Sequence, residues 1–86
     1  VTDAEDREYL LRLVRRERTE AASAYEALRG EMLTLDRAVD RHEAELAPRL
    51  VLTGLRRQLV AATNAAERAR ARLRRAEGMI KKLEEP

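Results

Sequence analysis

Apolar residues recur at alternating spacings of three and four along almost the whole chain, and the pattern is interrupted once, around the only internal proline, Pro48. The first run is Leu11, Val14, Arg18, Ala21, Tyr25, Leu28, Met32, Leu35, Val39, His42 and Leu46, in which nine of eleven positions are apolar. The second is Leu52, Leu55, Leu59, Ala62, Ala66, Ala69, Leu73, Ala76, Ile80 and Leu83, with no polar member. A mean period of ~3.5 residues held over this many turns describes the seam of a left-handed coiled coil, not the broader apolar face of a globular helix.

Proline inside a helix removes a hydrogen bond and clashes with the preceding turn, so the two runs cannot form one rod, whereas Pro48 can open a second helix. The predicted elements are a helix over 3–46, a link at 47–48 and a helix over 49–84. Thr2 followed by Glu5 reads as a capping box. Asp3, Glu5 and Asp6 suit the positive end of the first helix, and Lys81 and Lys82 the negative end of the second. Gly30, Gly54 and Gly78 weaken their turns by up to ~1 kcal/mol each, with Gly54, beside Thr53, marking a frayed start. A short link makes the two helices antiparallel neighbours. The expected fold is therefore all-α: one hairpin domain over 1–86, about 50 Å long, able to pair into a four-helix bundle.

Folding back at residue 47 sets Leu35 against Leu59, Met32 against Ala62, Leu28 against Ala66, Tyr25 against Ala69, Ala21 against Leu73 and Val14 against Ile80. Large side chains meet small ones at most layers, as close packing requires. In this register the charged flanks give Glu43 with Arg49, Asp36 with Arg56 and Arg15 with Glu77, against one repulsive pair, Glu8 with Glu84. A second register, folding at residues 50 and 51, pairs Leu46 with Leu55 and leaves Leu50 and Val51 on an exposed tip. The first is preferred because it buries Leu11 and Val14. Seam positions Val39, Leu55, Leu73 and Leu83 complete the expected core. Charge is divided the same way: residues 1–46 carry −4 and residues 47–86 carry +6. An acidic arm folded on a basic one favours the hairpin over parallel pairing of like arms.

Composition removes several functional classes. Eighty-six residues bury too thin a core for a deep enzyme pocket. No cysteine and one histidine leave no disulfide framework, zinc site or thiol nucleophile. No run of apolar residues is long enough to span a bilayer, and no basic-then-apolar leader opens the chain, so a soluble, cytoplasmic setting without membrane insertion is expected. Opening at Val1 and closing in charged sequence, the chain reads as a piece of a larger protein.

The surface feature that points to function is a second apolar line flanking the seam. At heptad positions g the first helix carries Leu10, Glu17, Ala24, Glu31, Ala38 and Glu45, and the second Val51, Gln58, Ala65, Arg72 and Met79. Alternate members are apolar, and in an antiparallel pair both g rows lie on one side. Leu10, Leu13, Ala24, Ala38, Val51, Ala65 and Met79 are thus candidates for a partner or dimer surface, with Tyr9 nearby, the alternative being a solvent face with scattered apolar residues. His42, opposite Leu52, reads as a tolerated polar residue near the turn, its sharper alternative being a pH-sensitive layer. Arg18, opposite Ala76, reads as an arginine lying along alanine with its head in water, the alternative being a register-setting polar residue.

The run Arg68, Arg70, Arg72, Arg74 and Arg75 could neutralise phosphates, but alternate spacing scatters these side chains around a helix and no aromatic accompanies them to stack on bases. Two of the five flank the seam, where they would pair with the acidic arm, so nucleic acid is the rival partner class and the less favoured one. The segment Leu28, Arg29, Glu31, Met32, Leu35 and Asp36 resembles the opening of the small all-helical chorismate mutases, which use cationic side chains in a helical bundle. The likeness stops at Asp40, Arg41, His42 and Glu43, where that family continues with apolar residues and paired arginines, so no catalytic residue carries over. With no paired carboxylates, nucleophile and base, or glycine-rich phosphate loop, the expectation is a non-catalytic module without a cofactor. It would act as scaffold, spacer or docking arm, packing against another helix or coiled coil, a second copy of itself included.

Overall fold

The computed structural model describes residues 3–85, so Thr2 and the capping box it would form lie outside the described residues. Two helices, α1 (Asp3–Ala44) and α2 (Arg49–Glu84), pack against each other as an antiparallel hairpin of 65 × 15 × 14 Å. The length exceeds the expected 50 Å because α1 alone has 42 residues, about 63 Å of helix at 1.5 Å per residue.

α1 ends two residues earlier than the periodicity implies, and the reason is a specific stop. Leu46 has φ 55°, so the chain turns left-handed where the seam pattern would continue. The Leu46 N–H donates to Glu43 O at 3.1 Å and the Ala47 N–H to His42 O at 2.9 Å. These two bonds define a Schellman ending, which satisfies carbonyls that the last turn would otherwise leave open. Leucine occupies a position usually given to glycine. As a result Leu46 leaves the seam and is 88 % exposed, beside Leu50 at 87 %. Pro48 sits one residue before α2 and not within it, at φ −54° and ψ 143°, with its carbonyl accepting from the Val51 and Leu52 N–H groups. Gly54 does not fray the start: α2 runs unbroken from Arg49 through it.

At the open end Val14, Ala76 and Ile80 form a buried cluster against which Leu11 and Leu83 pack. Val14 thus meets Ile80, as in the register that folds at residue 47. Along the rest of the seam the buried residues are Ala21 and Val39 from α1 and Ala62, Ala66 and Ala69 from α2. The larger seam residues, Tyr25, Leu28, Met32, Leu35, Leu55, Leu59 and Leu73, are only half-buried. A leucine laid over an alanine reaches past it, and a two-helix pair has no third element to cover the overhang. No bulky side chain in the described chain is fully enclosed. Arg18 is exposed while Ala76, facing it in this register, is buried. His42 is half-buried, with Nδ1 2.7 Å from the Ala38 carbonyl oxygen, and since a carbonyl only accepts, that nitrogen carries a proton. No helix among the described residues is long and apolar enough to cross a membrane.

Candidate interaction face

Ion pairs tie the helices together on both flanks of the seam, with partners different from those the sequence suggests. Arg15 Nη2 donates to Glu84 Oε1 at 3.1 Å, and Arg56 Nη2 to Glu43 Oε1 at 2.6 Å. Glu77 and Asp36, the expected partners of Arg15 and Arg56, are each displaced by a residue one heptad away, and Arg49 gives up Glu43 to Arg56. The direction of side chains on a helix explains the exchange. Each Cα–Cβ bond leans toward its own N-terminus, so α1 side chains lean toward the open end and those of α2 toward the turn. Arg15 and Glu84 lean toward each other, as do Glu43 and Arg56. Arg15 and Glu77 lean apart.

The other flank holds the g rows, and here one arginine joins three elements of charge. Arg72 Nε donates to Glu17 Oε1, Arg72 Nη2 to Glu17 Oε2 at 2.9 Å, and Arg72 Nη2 lies 3.7 Å from Glu20 Oε2. The paired hydrogen bonds from Arg72 hold the Glu17 carboxyl below its usual range, and Glu17 in turn holds the guanidinium above its own. Sequence reading treats Glu17 and Arg72 as polar interruptions of the apolar line. They face each other across the seam, and opposite charge at two g positions was the available signal.

Of the seven candidate surface residues, Leu10, Leu13, Val51 and Met79 are 42–51 % exposed, while Ala24, Ala38 and Ala65 are half-buried. Leu13 and Met79 come together across the two helices, lining with Val14, Glu17, Arg72, Arg75 and Ala76 a groove of about 330 Å³. Ala65 lines a second groove of about 520 Å³, with Leu28, Glu31, Leu35, Gln58 and Ala62 among its walls. Both grooves open on the g flank, with the Arg72–Glu17 pair at the wall of one. Through the second, seam leucines Leu28 and Leu35 reach the surface. Leu10, Ala24, Ala38 and Val51 share no groove and extend the line at its two ends and centre.

Other exposed apolar residues fall elsewhere: Leu33 and Val60 on the opposite flank, Leu46 and Leu50 at the turn, Tyr9 on the outer face of α1. The sequence does not single out Leu33 and Val60, because each is the one apolar residue at position b of its helix. Arg68, Arg70, Arg74 and Arg75 are all exposed and divide between two sides of α2, Arg68 and Arg75 at position c beside Arg72 on the g flank, Arg70 and Arg74 at e and b on the other. Among the described residues no group of three or more His, Cys, Asp or Glu side chains could hold a metal ion. No family model, curated protein or solved structure matches the chain.

Proposed function

We propose that this hairpin is a non-catalytic helix-packing module, a scaffold, spacer or docking arm, that binds another helix or coiled coil along its g flank. The carrying observation is the coincidence of two grooves and four exposed large apolar residues on that one flank, with core leucines showing through. A third helix laid along this flank would bury the overhanging leucines at ~25 cal/mol per Å² of apolar surface covered. The opposite flank carries Leu33 and Val60 and grooves walled mostly by charged side chains, Arg56 and Arg57 in one and Glu77, Lys81, Glu84 and Glu85 in another.

A photo-crosslinking side chain placed at Met79, on the g flank, and separately at Ala71, on the outer face of α2, tests the reading in cells. Adducts with protein several-fold more abundant from position 79 are expected; equal yields from both positions refute it. Binding through the arginines predicts something different: retention of a DNA or RNA oligonucleotide at low salt and its loss between about 50 and 200 mM. Retention of that kind together with equal crosslinking would assign the rival function.

A further inference from the structure

We infer that the occupant of the g flank is a second copy of this chain, related by a two-fold axis running along the hairpin, so that α1 of each copy lies over α2 of the other and both turns point the same way. This rests on the helix-packing reading above and names its partner. Charge selects both partner and orientation. α1 lies within the segment carrying −4 and α2 within the one carrying +6. In this arrangement the four helices alternate acidic and basic around the bundle, and every neighbouring pair is antiparallel. The opposite arrangement, with turns at opposite ends, stacks α1 on α1 and α2 on α2, like charge on like.

The chemistry of the flank agrees residue by residue. The order along α1 is Leu10, Glu17, Ala24, Glu31, Ala38, and along α2, read backwards, Met79, Arg72, Ala65, Gln58, Val51. Set against each other they give apolar with apolar, Glu17 with Arg72, Ala24 with Ala65, Glu31 with Gln58, then apolar with apolar again. The Arg72–Glu17 pair formed within one copy lies at the level of the same pair in the other copy, so the four charges alternate in sign around one layer. The alanines at the centre allow close approach, and the groove between Leu28, Leu35 and Ala65 receives the overhanging leucines of the other copy. The flank is also large enough. A face of 65 × 15 Å is comparable with the ~800 Å² per partner of stable interfaces.

The purified chain, sedimented at micromolar concentration, should run at twice its 9.9 kDa mass. Replacing Leu10, Val51 and Met79 with Lys should return it to 9.9 kDa with helicity unchanged by circular dichroism. Leu33→Lys with Val60→Lys, on the other flank, should leave the dimer intact. Orientation is read from spin labels on Arg12→Cys and, separately, Glu26→Cys, both exposed positions of α1 away from the interface in a chain without native cysteine. With turns at the same end, the two label pairs give similar distances. With turns at opposite ends, the Arg12 pair is the longer by up to about 30 Å, because a dyad near the middle of α1 lies about twelve residues from Arg12 and about two from Glu26. A dimer with similar distances supports the inference. A monomer, a dimer dispersed by Leu33→Lys and Val60→Lys, or label distances that differ by that amount overturns it. A monomer in purified solution together with preferential crosslinking from position 79 in cells would leave the helix-packing reading standing and remove only self-pairing.

Discussion

Leu46→Gly should stabilise the hairpin, although it deletes a large apolar side chain. At φ 55° a leucine carries the left-handed penalty of roughly 1–2 kcal/mol that comes from its Cβ. Being 88 % exposed, its side chain buries about an eighth of its surface, worth only ~0.3 kcal/mol of the ~2 kcal/mol for full burial. Glycine adds freedom to the unfolded chain at a cost of ~0.5–1 kcal/mol. The balance is a gain of about 0.5 kcal/mol, or roughly 2–4 °C in Tm for a domain of this size. Leu46→Asn should shift in the same direction, since asparagine tolerates this conformation. Leu46→Ala keeps the Cβ and should gain nothing. Urea unfolding followed by circular dichroism at one fixed protein concentration measures all three, the fixed concentration being needed because association alters apparent stability. Alanine matching glycine, or glycine destabilising the fold, would refute the assignment of a strained Schellman turn.

Other perturbations have equally definite outcomes. An added methyl meets nothing within 4 Å at Gly30, Gly54 or Gly78, so Gly30→Ala and Gly78→Ala should each raise stability by up to ~1 kcal/mol in thermal melts. Ala66→Leu inserts bulk into the seam, Ala66 being 4 % exposed, and should cost ~1–3 kcal/mol by the same measurement. The Glu17 carboxyl has a lowered folded pKa. Its contribution is therefore present above the ordinary carboxylate range and lost as pH falls through the lowered folded value. Glu17→Gln should flatten that part of the acid limb in a stability-against-pH series, and an unaltered limb would contradict the pairing with Arg72.

Periodicity carried most of the fold because a coiled-coil seam is written in every turn of the chain. The interruption at Pro48 then allowed only a hairpin, and the meeting of Val14 with Ile80 follows from the register that folds at residue 47. What was illegible depends on direction and local backbone. The ion-pair partners differ by one heptad because pairing residues by level ignores the lean of side chains along each helix. The end of α1 was misplaced because a leucine at a left-handed cap looks, in sequence, like the next seam residue. On the candidate flank, Leu10, Leu13, Val51 and Met79 were legible as exposed apolar positions. That Arg72, flanking the seam, pairs with the acidic arm was legible too; Glu17 as its partner was not, since that residue read as a gap in the apolar line.

The distance between Arg12 and Lys82 within one molecule tests the hairpin most directly, because every register, groove and flank described above depends on it. Spin labels on Arg12→Cys and Lys82→Cys, diluted with unlabelled protein so that only pairs within a chain are seen, should lie within about 30 Å. This places one on each arm of the open end, with the helix axes ~8–10 Å apart and the labels adding the rest. A separation near 100 Å, the span of the intervening seventy residues in one continuous helix, would contradict the account.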